Sequence, residues 1–256
     1  MRIVRYCDPG IRYGILEEDG MIRPLLGTPF EGINPRGRPV PLGQVRLLPP
    51  VDPRNIYGVG LNYVKHAQEV NAPLPAVPML FMKPTPAIAG PDANIVYPAR
   101  QGVVIHFEAE VVVVIGRTAR RVPESRASDY ILGYTCGNDV SERTVQAAEM
   151  KQGCLLLGKS FDTFAPIGPA IQTDLDPANI TIMGRVNGEQ RQRSNTSDLV
   201  YSIPKLVSYL SDAITLLPGD VIMTGTPSGI GPVTPGDIVE IEIPEVGILR
   251  NRVVAE

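Results

Sequence analysis

The chain has 256 residues, 43% of them apolar, and carries a formal charge of −3 with a pI near 5.5. That mild acidity argues against nucleic acid or an anionic membrane surface as a partner. Cys7, Cys136 and Cys154 are an odd number without CxxC spacing, which argues against a disulfide framework and a zinc site. The start lacks an apolar signal core and no apolar run approaches the ~20 residues of a bilayer span, so a cytoplasmic protein of a reducing compartment is expected.

The 26 prolines and 25 glycines are spread without tracts, as in a fold of many short strands joined by tight turns. Ile3–Tyr6, Arg12–Leu16 and Met21–Pro24 read as strands, the last two joined by a hairpin turn at Glu17–Gly20. The stiff segment Leu48–Pro53 marks a boundary between a small N-terminal α/β domain, residues 1–52, and a main domain, residues 53–256. Asn55–Gly60 then predicts a strand, and Tyr63–Glu69 a short helix capped by Asn62. Residues 71–78 contain three prolines and read as loop. Strands are expected at Met79–Met82 and Asn94–Tyr97. The next begins at His106 and runs unbroken into five β-branched residues, Val111–Ile115. After a helical turn at 123–129 and a strand at Ile131–Cys136, Ser141–Gln152 gives the best helix signal, with Ser141 as its cap. A further helix is predicted at Ile203–Asp212, with Pro204 in its first turn. Strands at Ile180–Met183, Arg185–Asn187, Val221–Met223, Ile238–Ile243 and Leu249–Val254 complete an α+β, strand-dominated chain with a few short helices.

Strand alternation puts His106, Glu108 and Glu110 on one face. Two carboxylates side by side at the end of an apolar strand repel each other and resist desolvation, and a hard divalent cation such as Mg2+ or Mn2+ relieves both. Asp139, just past the following strand, can supply a third oxygen. Arg143 and Gln146 share a helix face; the first can grip a substrate carboxylate and the second can hold a water or carbonyl oxygen. His66 and Glu69, three apart, suit a general base oriented by a carboxylate, with the proline-rich loop as a lid. Lys159 can stabilise an enolate, and the turn Thr224–Gly229, with Thr226, offers hydroxyls and N–H groups to a carboxylate. Each feature also has a plain reading: a solvated strand face, a surface helix pair, a structural ion pair, an ordinary turn. Glu240 and Glu242, with the same i, i+2 spacing, are assigned to that plain class. Co-occurrence, not any single motif, favours a site.

Taken in order, these segments resemble the fumarylacetoacetate hydrolase family. The resemblance rests on Gly60-Leu61-Asn62-Tyr63 with His66 and Glu69, on Phe81-Met82-Lys83-Pro84, and on His106-Phe107-Glu108-Ala109-Glu110. It continues through Gly133-Tyr134 with Asp139, Arg143 and Gln146, then Gly158-Lys159-Ser160-Phe161-Asp162. Ser202-Ile203-Pro204, Leu217-Pro218-Gly219-Asp220 and Thr224-Gly225-Thr226-Pro227 close the series. It covers residue 53 to the C-terminus, and residues 1–48 look like the small N-terminal domain of bacterial members related to 2-hydroxyhepta-2,4-diene-1,7-dioate isomerase. The pattern departs at Thr144, where many relatives carry Asp, and around Gly153-Cys154-Leu155, where an aromatic residue is expected.

The resemblance implies a mixed β-sandwich roll, usually a homodimer, with Mg2+ or Mn2+ on Glu108, Glu110 and Asp139. It implies His66 with Glu69 on a lid, Lys159 and Gln146 assisting the developing charge, and Arg143, Lys83, Thr226 and Tyr63 around the substrate. The expected activity is hydrolytic carbon–carbon cleavage, or decarboxylation, of a small 2-oxo or β-dicarbonyl acid through a metal-bound enolate. The alternatives are an isomerase or hydratase of 2-hydroxy-dienedioates in aromatic catabolism, and an inactive metal-binding member of the family.

Overall fold

The computed structural model describes residues 1–256, and its organising element is the strand Ala109–Ile115, buried at every position. Alternation sends Val111, Val113 and Ile115 into the main apolar core and Val112 and Val114 into a second one. A strand apolar on both faces belongs in the middle of a sheet. Its neighbours are Ile131–Asn138 and Val221–Met223, both antiparallel to it.

Beyond Ile131–Asn138 the large sheet continues through Ala165–Gln172, Arg2–Cys7, Ile11–Leu16 and Met21–Pro24. In the other direction it passes Val221–Met223 and Ile56–Gly60 and ends at Met79–Lys83. A five-stranded sheet, Glu189–Asn195, Thr181–Val186, Ile238–Ile243, Gly247–Ala255 and Asn94–Tyr97, lies against its inner face. Ile182, Val239, Ile241, Leu249 and Val253 from that sheet share the main core with Val111 and Val113. The result is the strand-dominated mixed fold with short helices that the sequence predicts. The N-terminal segment is stitched to it: Arg2 and Ile3 pair with Gln172 and Ile171, and Ile3 is buried in the second core with Val112 and Val114. No helix is long and apolar enough to cross a membrane.

Three α-helices are present: α1 (Val64–Glu69), α2 (Arg143–Met150) and α3 (Ile203–Ala213). In α3, Ile203, Leu206, Val207 and Leu210 recur at i, i+3, i+4 and i+7 and are buried. The Ser202 hydroxyl accepts the Lys205 N–H, and Pro204 stands in the first turn, where a missing N–H costs nothing.

Three expectations need correction, and one central strand is new. The strand from His106 is not continuous: it breaks at Glu108 into Ile105–Phe107, in a separate three-stranded sheet, and Ala109–Ile115. Ser141 does not cap α2, because it sits in a short strand opposite His106. Glu142 caps it instead, its carboxylate accepting from Thr144 N and Val145 N. Asn62 does not cap α1; its side chain accepts Tyr201 N–H and donates to Tyr201 O and Thr224 O, tying the segment before α1 to two distant loops. The central strand Ala165–Gln172 was not expected, since Pro166, Gly168 and Pro169 mask it.

Candidate active site

The break at Glu108 and the end of Ile131–Asn138 bring the three acidic residues together. Glu108, Glu110 and Asp139 are 4%, 1% and 1% exposed, and one ligand oxygen from each lies within 4.8 Å of the others. Two buried ammonium groups meet them. Lys159 Nζ donates to Glu108 Oε2 at 2.8 Å and to Asp139 Oδ2 at 2.5 Å, and Lys83 Nζ donates to Asp139 Oδ1. Arg143 donates to Glu108 Oε1 at 2.5 Å and to Gln146 Oε1 at 2.7 Å.

This distribution treats the carboxylates differently. Burial works against the charge on Glu108, but Lys159 and Arg143 outweigh it and hold that carboxyl well below its ordinary range. Glu110 is pushed well above it, first by burial and then by its acidic neighbours Asp139 and Glu108, and its polar partner is the Gly225 N–H at 2.8 Å. For Lys159 burial is overcome by Asp139 and Glu108, so its charge is favoured. For Lys83 burial dominates and lowers it.

A cavity of about 440 Å³ opens over this cluster. Glu108, Glu110, Asp139, Lys159, Arg143 and Gln146 line it, as do His66 and Thr226. His66 is 7% exposed, with Nδ1 3.1 Å from Glu69 Oε2, which leaves Nε2 as the second proton-carrying atom of the ring. His106 lines the cavity too; burial first, and Arg143 second, lower it to about 4, so its ring is neutral at ordinary pH.

Three sequence-selected residues are placed otherwise than expected. Lys83 is not on the cavity wall but beneath it, on Asp139 and the Val140 carbonyl. Tyr63 is 1% exposed and likewise off the wall. Thr226 is on the wall, but its hydroxyl donates to Ala109 O at 3.0 Å, while Thr224 Oγ1 donates to Val111 O and Gly225 N to Glu110. These three donors hold the carboxylate strand and are not free for a substrate anion. Glu240 and Glu242 pair with Arg250 and Arg185, away from the site.

Sequence reasoning missed Gln192 and Glu142. Gln192, 1% exposed, reaches from the five-stranded sheet to accept Ala109 N–H at 2.8 Å and to donate to Thr226 Oγ1 and Pro227 O. Glu142, besides capping α2, accepts Val104 N–H and so ties that helix to the segment before His106. The Gln192 partners and Val104 are distant in sequence, and only the fold brings them into range.

The donor set is all oxygen, buried and convergent, and Glu110 has no cationic side chain of its own, so the residues fit a hard divalent ion.

The comparisons agree with this geometry. Residues 55–254 match the family model for the fumarylacetoacetate hydrolase C-terminal domain, and residues 1–50 match an Rv2993c-like N-terminal model. The chain is 43% identical to a 5-carboxymethyl-2-hydroxymuconate delta-isomerase from Mycobacterium smegmatis, over all of both chains, with a TM-score of 0.92. A maleylpyruvate hydrolase from Sphingobium sp. SYK-6, solved with manganese(II) and pyruvate, matches at 32% identity and TM-score 0.81, covering 100% of this chain and 99% of that one. A mitochondrial oxaloacetate tautomerase of Rattus norvegicus is 41% identical over 84% of this chain and 71% of its own length. These relatives are enzymes of isomerase, hydrolase and tautomerase type. The chain belongs to the fumarylacetoacetate hydrolase family.

Proposed function

We propose that this protein is a divalent-metal-dependent enzyme that moves a proton between the enol and keto forms of a small 2-oxo acid, oxaloacetate being the first candidate. The observation that carries this reading is the convergence of three buried carboxylates, the Lys159 ammonium and the His66–Glu69 pair on one cavity. Two of the relatives above 40% identity, an isomerase and a tautomerase, carry names of proton-transfer chemistry. Glu108, Glu110 and Asp139 would hold Mg2+ or Mn2+, which when bound polarises a carbonyl as a Lewis acid.

The other roles belong to the chain itself. Arg143 lines the cavity with a partly exposed guanidinium, a donor for the substrate carboxylate. His66, oriented by Glu69, takes a proton from the carbon beside the carbonyl, or returns one to it, through Nε2. Lys159 keeps its charge in this setting and steadies the negative charge that develops on the substrate's oxygen. The apolar lining, Phe81, Met79 and Leu155 among it, limits water around that charge.

A second reading is hydrolysis of an acylpyruvate, in which the same His66 activates water; the manganese- and pyruvate-bound maleylpyruvate hydrolase favours it. The test is turnover with Mg2+ or Mn2+ of oxaloacetate, acetylpyruvate, fumarylpyruvate and a hydroxyhepta-dienedioate, followed by NMR in wild type and His66→Ala. Faster enol–keto exchange, or a shifted double bond, lost in the variant supports the proposal. Pyruvate plus a carboxylic acid would replace it with hydrolysis, and pyruvate plus CO2 from oxaloacetate with decarboxylation. Metal binding without turnover of any of these would leave a binding protein.

A further inference from the structure

Lys159 enters the carboxylate cluster from a turn whose leading residues are not held by apolar burial. The two residues before Gly158, Leu156 and Leu157, are 52% and 60% exposed, and Leu156 has a sparsely populated backbone conformation, φ −143° and ψ −74°. Lys159 itself is 3% exposed. Something other than apolar burial must fix the turn that delivers it.

That restraint is Glu149, on α2. Its carboxylate accepts three successive backbone N–H groups: Leu156 at 3.1 Å, Leu157 at 2.7 Å and Gly158 at 3.0 Å. Successive N–H groups form a concavity that favours an anion, and here a side chain of the same protein fills it. Burial alone would raise the Glu149 carboxyl, but these three bonds outweigh it and hold it below its ordinary range. Ser160 Oγ closes the turn on Leu156 O at 2.6 Å. Gly158 lies so close to α2 that a Cβ there would be 2.7 Å from Gln146 backbone atoms. The same helix therefore carries Arg143 and Gln146 to the cavity and holds the turn that presents Lys159.

We infer that Glu149 is a positioning residue: by binding the 156–158 N–H groups it sets the Lys159 ammonium between Glu108 and Asp139. It lies outside the cavity lining and bonds to no member of the acidic cluster, so it acts through the turn that carries Lys159.

The test is amine labelling read by mass spectrometry, with Mg2+ present, in wild type, Glu149→Gln and Glu149→Asp. Glu149→Gln removes the charge and turns an NH2 group toward N–H donors; Glu149→Asp keeps the charge but is one methylene short. Lys159 should label at least about tenfold faster in Glu149→Gln, because losing charge-assisted bonds to three N–H groups raises the open population of the turn, while Lys83, held on a strand, stays protected. Lys159 as protected as Lys83 in both variants would overturn the inference. Should Glu149→Gln expose Lys83 as well, Glu149→Asp decides: selective labelling of Lys159 supports the inference, and joint labelling of both lysines overturns it.

A kinetic arm rests on the proposed reaction. Glu149→Gln should lower kcat about tenfold with KM little changed, and should add nothing in a Lys159→Met background. Additive losses would overturn the link to Lys159. The labelling arm needs no substrate, so a wrong reaction and a wrong role for Glu149 give different results.

Discussion

Glu69 accepts the Gly229 N–H through Oε1 at 2.8 Å, while its Oε2 lies 3.1 Å from His66 Nδ1. One carboxylate therefore orients the proposed base and fastens α1 to the turn that follows the Thr226 segment. Gly229 has φ +100°, and a Cβ there would come within 2.0 Å of Arg191 O, so the donor's position is fixed by a backbone only glycine can adopt.

Glu69→Gln should consequently lower kcat/KM about 10- to 100-fold, the usual range for a group that orients another. His66→Ala should cost more, about 10²- to 10⁴-fold, and the double variant should match His66→Ala. Steady-state kinetics on wild type and the three variants checks this; equal and additive losses would mean that the two residues act separately.

Metal binding should report directly on Glu110. With Mn2+ or Mg2+ at about 100 times its Kd, the thermal midpoint of wild type should rise by the equivalent of about 2.7 kcal/mol. Glu110→Gln keeps an acceptor for Gly225 N–H and removes one of three clustered carboxylate charges. The chelated variant should melt no lower than chelated wild type, and its metal-induced rise should be lost. Calorimetry with and without chelator gives both numbers, and a full rise in the variant would remove Glu110 from the ligand set.

Gln192 bridges two sheets with one buried amide, so Gln192→Leu leaves Ala109 N–H and Pro227 O without partners. Each such orphan costs about 1–3 kcal/mol, giving an expected loss of about 2 to 6 kcal/mol in urea unfolding. Turnover should fall as well, because Ala109 lies between two of the proposed ligands.

Cys136 gives an alkaline prediction. Burial raises its thiol to about 12, so between about pH 9 and 12 the folded protein keeps a proton that the unfolded chain has released. The unfolded state binds fewer protons there, and stability falls as pH rises, by at most about 1.4 kcal/mol per pH unit from this group. Below pH 9 this contribution is fully present and flat. Cys136→Ala should flatten the decline above pH 9, measured by denaturant titration at successive pH values; an unchanged slope would assign it to the buried tyrosines.

Much of the fold was legible because local chemistry and tertiary role agree. Val111–Ile115 is β-branched and central, and α3 shows its helical period from Ile203 to Leu210. The alternation that put Glu108 and Glu110 on one face located the acidic cluster, although the strand breaks between His106 and Ala109. Legibility failed where one residue type had two uses. Ser141 and Asn62 are good caps by type, yet one is engaged in a strand and the other in a loop 139 residues away. Thr226 offers a hydroxyl on paper, and the fold turns its proton to Ala109 O. Gln192 and Glu149 carried no signal, since a lone Gln or Glu says nothing until its backbone partners are placed.

The pairing of Arg2 and Ile3 with Gln172 and Ile171 has a consequence for any attempt to divide the chain near residue 52. The Ala165–Gln172 strand would lose the neighbour on its outer side and present unsatisfied N–H and C=O groups to other molecules. Ile3 and Val51 would also leave the apolar face of Val112 and Val114 bare. The first fifty residues thus serve as a hem on the large sheet, and an N-terminally trimmed protein would be an adhesive one.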